Sequence, residues 1–154
     1  MDILKINDPA PGFRLKDAEE REYSLEQFRG QRIVLYFYPK DDTPGCTKEA
    51  CSFRDDYESY IRNRIVIIGI SPDSTRAHKK FAEKHKLPFI LLSDPDKETI
   101  KAYGAWGEKK MYGKTYMGLL RTTFLIDEKG RILKIFPNVR VEGHSQSILN
   151  EFGI

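Results

Sequence analysis

The sequence predicts an α/β fold in which a mixed central sheet is flanked by helices and preceded by an N-terminal β extension. Three observations carry this. Arg32–Tyr38 (RIVLYFY) and Ile65–Ile70 (IVIIGI) are near-continuous apolar runs rich in β-branched and aromatic residues, the mark of strands buried on both faces. A stretch of helical period lies between them, so the two strands belong to a βαβ unit and run parallel. Arg121–Ile126 and Ile132–Phe136 flank Asp127-Glu-Lys-Gly130, a hairpin signal that adds antiparallel strands.

The elements follow in order. Pro9, Pro11 and Gly12 exclude a helix at the start, and Phe13–Leu15 can pair with Arg21–Tyr23. Ser24–Gly30 reads as one helical turn, with Gln27 at the capping-box position. After the first buried strand comes a loop, Pro39–Gly45, and then a helix over about 46–63. Its apolar stripe is Cys46, Ala50, Phe53, Tyr57 and Tyr60, in steps of four, three, four and three. A second helix covers Ser74–Lys86 with Ala77, Phe81 and Ala82 inward, and the strand Phe89–Leu92 follows. Pro95–Tyr103 reads as a short helix with proline in its first turn. Residues 104–120 show no clean period. Gly143–Phe152 is a last helix with Ile148, Leu149 and Phe152 inward. The whole, 1–154, reads as a single domain of thioredoxin-like pattern.

Composition bounds the function. The 154 residues suit one domain with a real core, 40% are hydrophobic and 32% charged, and no stretch approaches the ~20 apolar residues of a membrane span. A net charge of +3, evenly spread, does not argue for nucleic acid. Met1–Gly12 lacks a basic leader and an apolar h-region, so the expected location is the cytoplasm. There, two close cysteines, Cys46 and Cys51, point to redox chemistry or metal rather than to a structural staple. No metal or other cofactor is expected. The C-x₄-C spacing lacks a matching pair, and His78, His85 and His144 are scattered along the chain, whereas zinc needs four converging ligands.

Cys46 begins the inward stripe at a helix N-terminus. Unpaired backbone N–H groups and the positive dipole end stabilise an anion there, and a thiolate is the nucleophilic form of cysteine. Thr43, three residues earlier, offers a hydroxyl that can donate to sulfur or to a substrate oxygen and accept from a substrate O–H. Pro39 and Pro44 stiffen the loop without adding donors.

Pro39-x-x-x-Thr43-x-x-Cys46 matches the active-site motif of peroxiredoxins. The longer run Thr43–Asp55 (TPGCTKEACSFRD) resembles the bacterioferritin comigratory protein (PrxQ) subfamily, and Arg121–Asp127 (RTTFLID) is similar to the family's second motif. The resemblance implies a thioredoxin-like fold and a thiol peroxidase acting on hydrogen peroxide and organic hydroperoxides. It implies that Cys46 is the peroxidatic cysteine, Cys51 the resolving one, and that Thr43 bonds sulfur and substrate. By the same resemblance Pro39 shields the sulfenic acid, Arg121 supplies positive charge, and Glu49 orients that arginine. The implied reductant is thioredoxin or a glutaredoxin-like dithiol, and the implied state is a monomer, with a dimer as alternative.

Each residue also has a plainer reading. Cys51 lies one position off the stripe and can be ordinary packing. Arg121 alone would be a strand-start ion-pair residue, Glu49 a first-turn acid favoured by the dipole, and Thr43 a cap. Two rival functions remain open: a disulfide oxidoreductase, which would want C-x-x-C, and a non-enzymatic sensor or chaperone. Spacing adds one mechanical expectation. Five helical residues span ~7.5 Å of rise and ~140° of rotation, beyond the ~7 Å Cα limit of a disulfide. Cys46 and Cys51 can therefore bond only if their helix opens.

Overall fold

A computed structural model describes residues 3–154, the side chain of Met111 excepted. Strands β1 (Arg14–Asp17), β2 (Glu22–Ser24), β3 (Arg32–Phe37), β4 (Ile65–Ser71), β5 (Ile90–Ser93), β8 (Thr122–Ile126) and β9 (Ile132–Phe136) form one sheet in the order β2-β1-β5-β4-β3-β8-β9. β3, β4 and β5 are parallel neighbours, while β8 runs antiparallel to β3 and β9 antiparallel to β8. The mixed sheet and its N-terminal extension are thus the thioredoxin-like arrangement expected.

The extension is pinned by Asp17. Its carboxylate accepts from the Glu19 and Arg21 N–H groups, both at 2.9 Å, and this turns β1 into β2. Gln27 accepts from the Ser24 N–H at 2.7 Å, closing the short 3-10 turn Leu25–Phe28 as its capping pattern requires. Two cores fill the two faces of the sheet. One gathers Tyr36, Tyr38, Cys46, Ala50 and Phe53, and the other gathers Leu35, Phe37, Ile68, Tyr103 and Phe124.

Several expected boundaries move. The helix after β3 starts two residues early and is broken: α1 is Pro44–Asp55 and α2 is Tyr57–Arg62, parted at Asp56. There the Asp56 carboxylate accepts from the Ser145 hydroxyl at 2.7 Å, a tertiary contact that ends α1. α3 (Thr75–His85) is capped by Ser74, whose hydroxyl accepts from the Ala77 N–H. α4 is only Glu98–Ala102, because Lys97 takes a left-handed φ of 62° and Asp94 accepts from the Ile100 N–H at 2.8 Å. Residues 104–120, without clean period, form a separate hairpin of β6 (Trp106–Met111) and β7 (Lys114–Leu119). α5 (His144–Glu151) closes the chain with Ile148 and Leu149 buried. Among the described residues no helix is long and apolar enough to cross a membrane.

Candidate active site

Antiparallel pairing of β3 with β8 sets the site. Phe37 faces Thr122, so the end of β3 and the start of β8 lie side by side. The loop leaving β3 carries Pro39 and Thr43 into α1, and the residue before β8 is Arg121. Val139 donates its N–H to the Arg121 carbonyl at 2.9 Å and fixes the backbone there.

Cys46 is the third residue of α1 and only 1% exposed. The first helical bond runs from the Thr47 N–H to the Thr43 carbonyl at 2.8 Å. Pro44 has no N–H, so the amides of Gly45 and Cys46 are the donors this helix end presents. Arg121 donates from Nη2 to the Cys46 Sγ at 3.2 Å and from Nη1 to Glu49 Oε1 at 2.6 Å. One planar guanidinium therefore bridges the thiol and a carboxylate one turn further along the same helix.

Glu49 is fully buried, and burial pushes its carboxyl up to about 7 despite the opposing charge and hydrogen bond of Arg121. Burial also works against the guanidinium, but the charges of Glu49 and Cys46 outweigh it and hold Arg121 above its ordinary value. His144, the first residue of α5, is buried and shares a hydrogen bond of 2.8 Å with the Thr123 hydroxyl. Burial first, and Arg121 second, lower it to about 4, which keeps a neutral imidazole behind the cationic centre. Tyr36 stacks on Tyr38 and packs at a tilt against Phe53 beneath the site.

Two expected details differ. Thr43 caps α1 with an extended backbone, but its hydroxyl donates to the Lys40 carbonyl at 2.9 Å rather than to sulfur. Its single proton is spent on the loop, and its lone pairs remain for a substrate O–H. Nor are the histidines all scattered: His78 packs against Asp41 of the same loop, with Nδ1 2.6 Å from Oδ2. Pro39 is half-buried at the mouth of the loop. Cys51 is half-buried, and both cysteines are free thiols within an unbroken α1. The sequence does not single out His144 or Tyr36; the spacing of Tyr36 and Tyr38, at the end of β3 and just past it, was the available signal.

An isolated thiol held against a guanidinium is suited to cutting an O–O bond. A disulfide exchanger needs a second cysteine three residues on, and here the next is five away. The class defined is a thiol-dependent peroxidase on a thioredoxin-like scaffold. The chain belongs to the AhpC/TSA family, whose model matches residues 6–135, and within it to the Bcp peroxiredoxins. It is 50% identical over 141 residues to Peroxiredoxin Bcp of Bacillus subtilis, covering 92% of this chain and 90% of that one. It is 43% identical over 150 residues to Peroxiredoxin Bcp of Escherichia coli, covering 97% and 96%. A solved PrxQ mutant from Xylella fastidiosa superposes with a TM-score of 0.93 at 32% identity, covering 99% of this chain and 98% of that one. The bacterioferritin comigratory protein of Xanthomonas campestris, studied as a trapped intermediate/ligand complex for alkyl peroxide reduction, gives 0.90 at 32% identity, covering 99% and 98%.

Proposed function

We propose that Cys46 is the peroxidatic nucleophile and Cys51 the resolving thiol of a cycle that reduces hydrogen peroxide and organic hydroperoxides. The observation that carries this is the Arg121 guanidinium, 3.2 Å from Sγ and held by Glu49. It stabilises the thiolate before attack and the oxyanion that leaves after it. The Cys46 thiolate attacks the nearer peroxide oxygen. The O–O bond breaks, and ROH departs with one added proton, leaving Cys46–SOH. In this reading the Gly45 and Cys46 amides bind the substrate oxygens, the Thr43 lone pairs accept its O–H, and Pro39 limits water at the sulfur.

Cys51 then displaces water from the sulfenic acid to form a 46–51 disulfide, which an external dithiol of thioredoxin or glutaredoxin type reduces by exchange. With both residues in α1, this step requires local unwinding. The enzyme acts as a monomer, as the family resemblance implies, in the cytoplasm, where thiols are kept reduced.

Mass spectrometry after one equivalent of peroxide tests the reading. Wild type is expected to carry an intramolecular 46–51 disulfide, and Cys51→Ser a trapped Cys46 sulfenic acid that excess peroxide drives to sulfinic acid. Undiminished peroxide consumption by Cys46→Ser, or disulfides between chains alone, would overturn it.

A further inference from the structure

The loop that carries Thr43 and leads into Cys46 is tied to α3 by a buried polar cluster the cycle does not use. His78 is fully buried. Its Nε2 lies 3.0 Å from the Leu92 carbonyl, which can only accept, so Nε2 donates there. Its Nδ1 lies 2.6 Å from Asp41 Oδ2, with one proton shared between them. Asp41 Oδ1 accepts from the Tyr38 hydroxyl at 2.6 Å, and the Asp41 N–H donates to Asp73 Oδ2 at 2.7 Å. Asp73 Oδ2 also accepts from the Ser71 hydroxyl at 2.8 Å. Asp41, Asp73 and His78 come close enough to suggest a cation site, their ligand atoms lying within 4.8 Å of one another. Each already has a protein partner, however, and the cluster reads as an anchor rather than a metal centre.

A second, exposed tie lies beside it. Asp42 accepts from Lys84 Nζ at 2.7 Å and meets His85 Nε2 at 3.1 Å. At the other end of α1, Arg54 Nη1 donates to the His85 carbonyl at 2.8 Å. Residues 43–53, with Cys46 and Cys51 among them, are thus bracketed by contacts to one helix.

We propose that the Asp41–His78 pair is the fixed point from which the Cys46 segment unwinds and to which it reseats, which makes His78 and Asp41 positioning residues for both halves of the cycle. This rests on the disulfide cycle proposed above. While the anchor holds, the closed form stays dominant and keeps Thr43, Gly45 and Cys46 set for attack. Loosening it lengthens the segment free to move and raises the entropy of the open form. Peroxide attack then slows, while condensation of Cys46–SOH with the Cys51 thiol, releasing water, quickens. The competing reaction, in which the sulfenate takes one oxygen from a second ROOH to give sulfinate and ROH, loses ground.

Quenched single-turnover mass spectrometry on the full chain separates these steps. His78→Gln is expected to raise the rate of disulfide formation about tenfold, the effect of losing its hydrogen bond to Asp41, and Asp41→Ala, which also strips the Tyr38 hydroxyl of its acceptor, by at least as much, both while lowering the rate of peroxide attack. Asp41→Asn should stay near wild type. Its carboxamide can accept from Tyr38 and donate to Nδ1 of a neutral His78 that still donates to Leu92. Lys84→Ala, at the surface and safe for folding, should move both rates in the same directions by less. A plain loss of structure would slow both steps together. Unchanged partition in folded His78→Gln and Lys84→Ala, or both steps slowed in parallel, refutes the anchor. If wild type forms no 46–51 disulfide, the cycle itself fails and the anchor's role falls with it; a normal wild-type disulfide isolates the anchor as the failing part.

Discussion

Glu49 and His144 flank Arg121 and titrate against each other, so we predict that removing either exposes a slope in stability that wild type hides. Glu49 moves from 4.5 unfolded to about 7 folded, and His144 from 6.5 to about 4. At ~1.4 kcal/mol per pH unit, each displacement is worth about 3 kcal/mol. The Glu49 value is raised on folding, so its contribution is complete below pH 4.5 and is lost as pH rises through about 7. The His144 value is depressed, so its contribution is complete above pH 6.5 and is lost as pH falls through about 4. Between pH 4.5 and 6.5 the two slopes have opposite sign and nearly equal size. Urea unfolding of the reduced protein from pH 4 to 8 reads this directly. Relative to wild type, Glu49→Gln should gain about 3 kcal/mol as pH rises from 4.5 to 7, and His144→Asn should lose about as much as pH rises from 4 to 6.5. Other carboxylates cancel in the differences from wild type. A Glu49→Gln minus wild-type difference that is equal at pH 5 and pH 8 would refute the reasoning, because burial would then not have raised Glu49.

Further outcomes follow from three places in the fold. Arg121→Ala should lower kcat/KM for peroxide about 10²–10³-fold in stopped flow, the usual cost of one preorganised donor at a developing charge. Arg121→Lys should restore only part of it, because an ammonium lacks the planar fork that spans Sγ and Glu49, and full activity in the lysine variant would contradict the bridge. Gly69 lies in β4 against a ring, and a Cβ there would meet Tyr36 Cζ at 2.8 Å. Gly69→Ala should therefore cost about 1–3 kcal/mol in urea unfolding, whereas Tyr36→Phe, which deletes a buried hydroxyl without a hydrogen-bond partner among the described residues, should be neutral or stabilising by up to ~1 kcal/mol. Tyr112 is 97% exposed at the tip of the β6–β7 hairpin with φ 53°, followed by Gly113 at 76°. Tyr112→Asn supplies the residue such a turn favours and should raise thermal stability by the equivalent of about 0.5 kcal/mol; a lowered midpoint would count against the turn assignment.

What was legible in the sequence divides by the range of the interaction. The buried strands β3 and β4 announce themselves because burial on both faces forces local apolar runs. Cys46 is legible for a similar reason: a cap, a proline and a following periodic stripe mark a helix start, and the dipole acts on whatever sits there. Pro44 as the first helical residue was even available as a sign that α1 begins before Cys46. The break at Asp56 was not available, since the stripe runs on unbroken and the Ser145 that interrupts it comes from α5. The β6–β7 hairpin lacked both usual signs. Its turn is Tyr-Gly rather than Asn-Gly, and most of β7 is exposed, so no core imposed an alternation. His78 looked like a stray because its partner lies in the loop before α1. Arg121 shows most clearly why motif and geometry are both needed. By itself it is one more cation at a strand start, and only resemblance to a second motif marked it. Its physical meaning arises when β8 pairs antiparallel with β3, which sets the start of one strand beside the end of the other. A helix-start thiol therefore acquires its cation from residues 75 positions away, and the pairing that brings them together is also what keeps Glu49 dry enough to be strained.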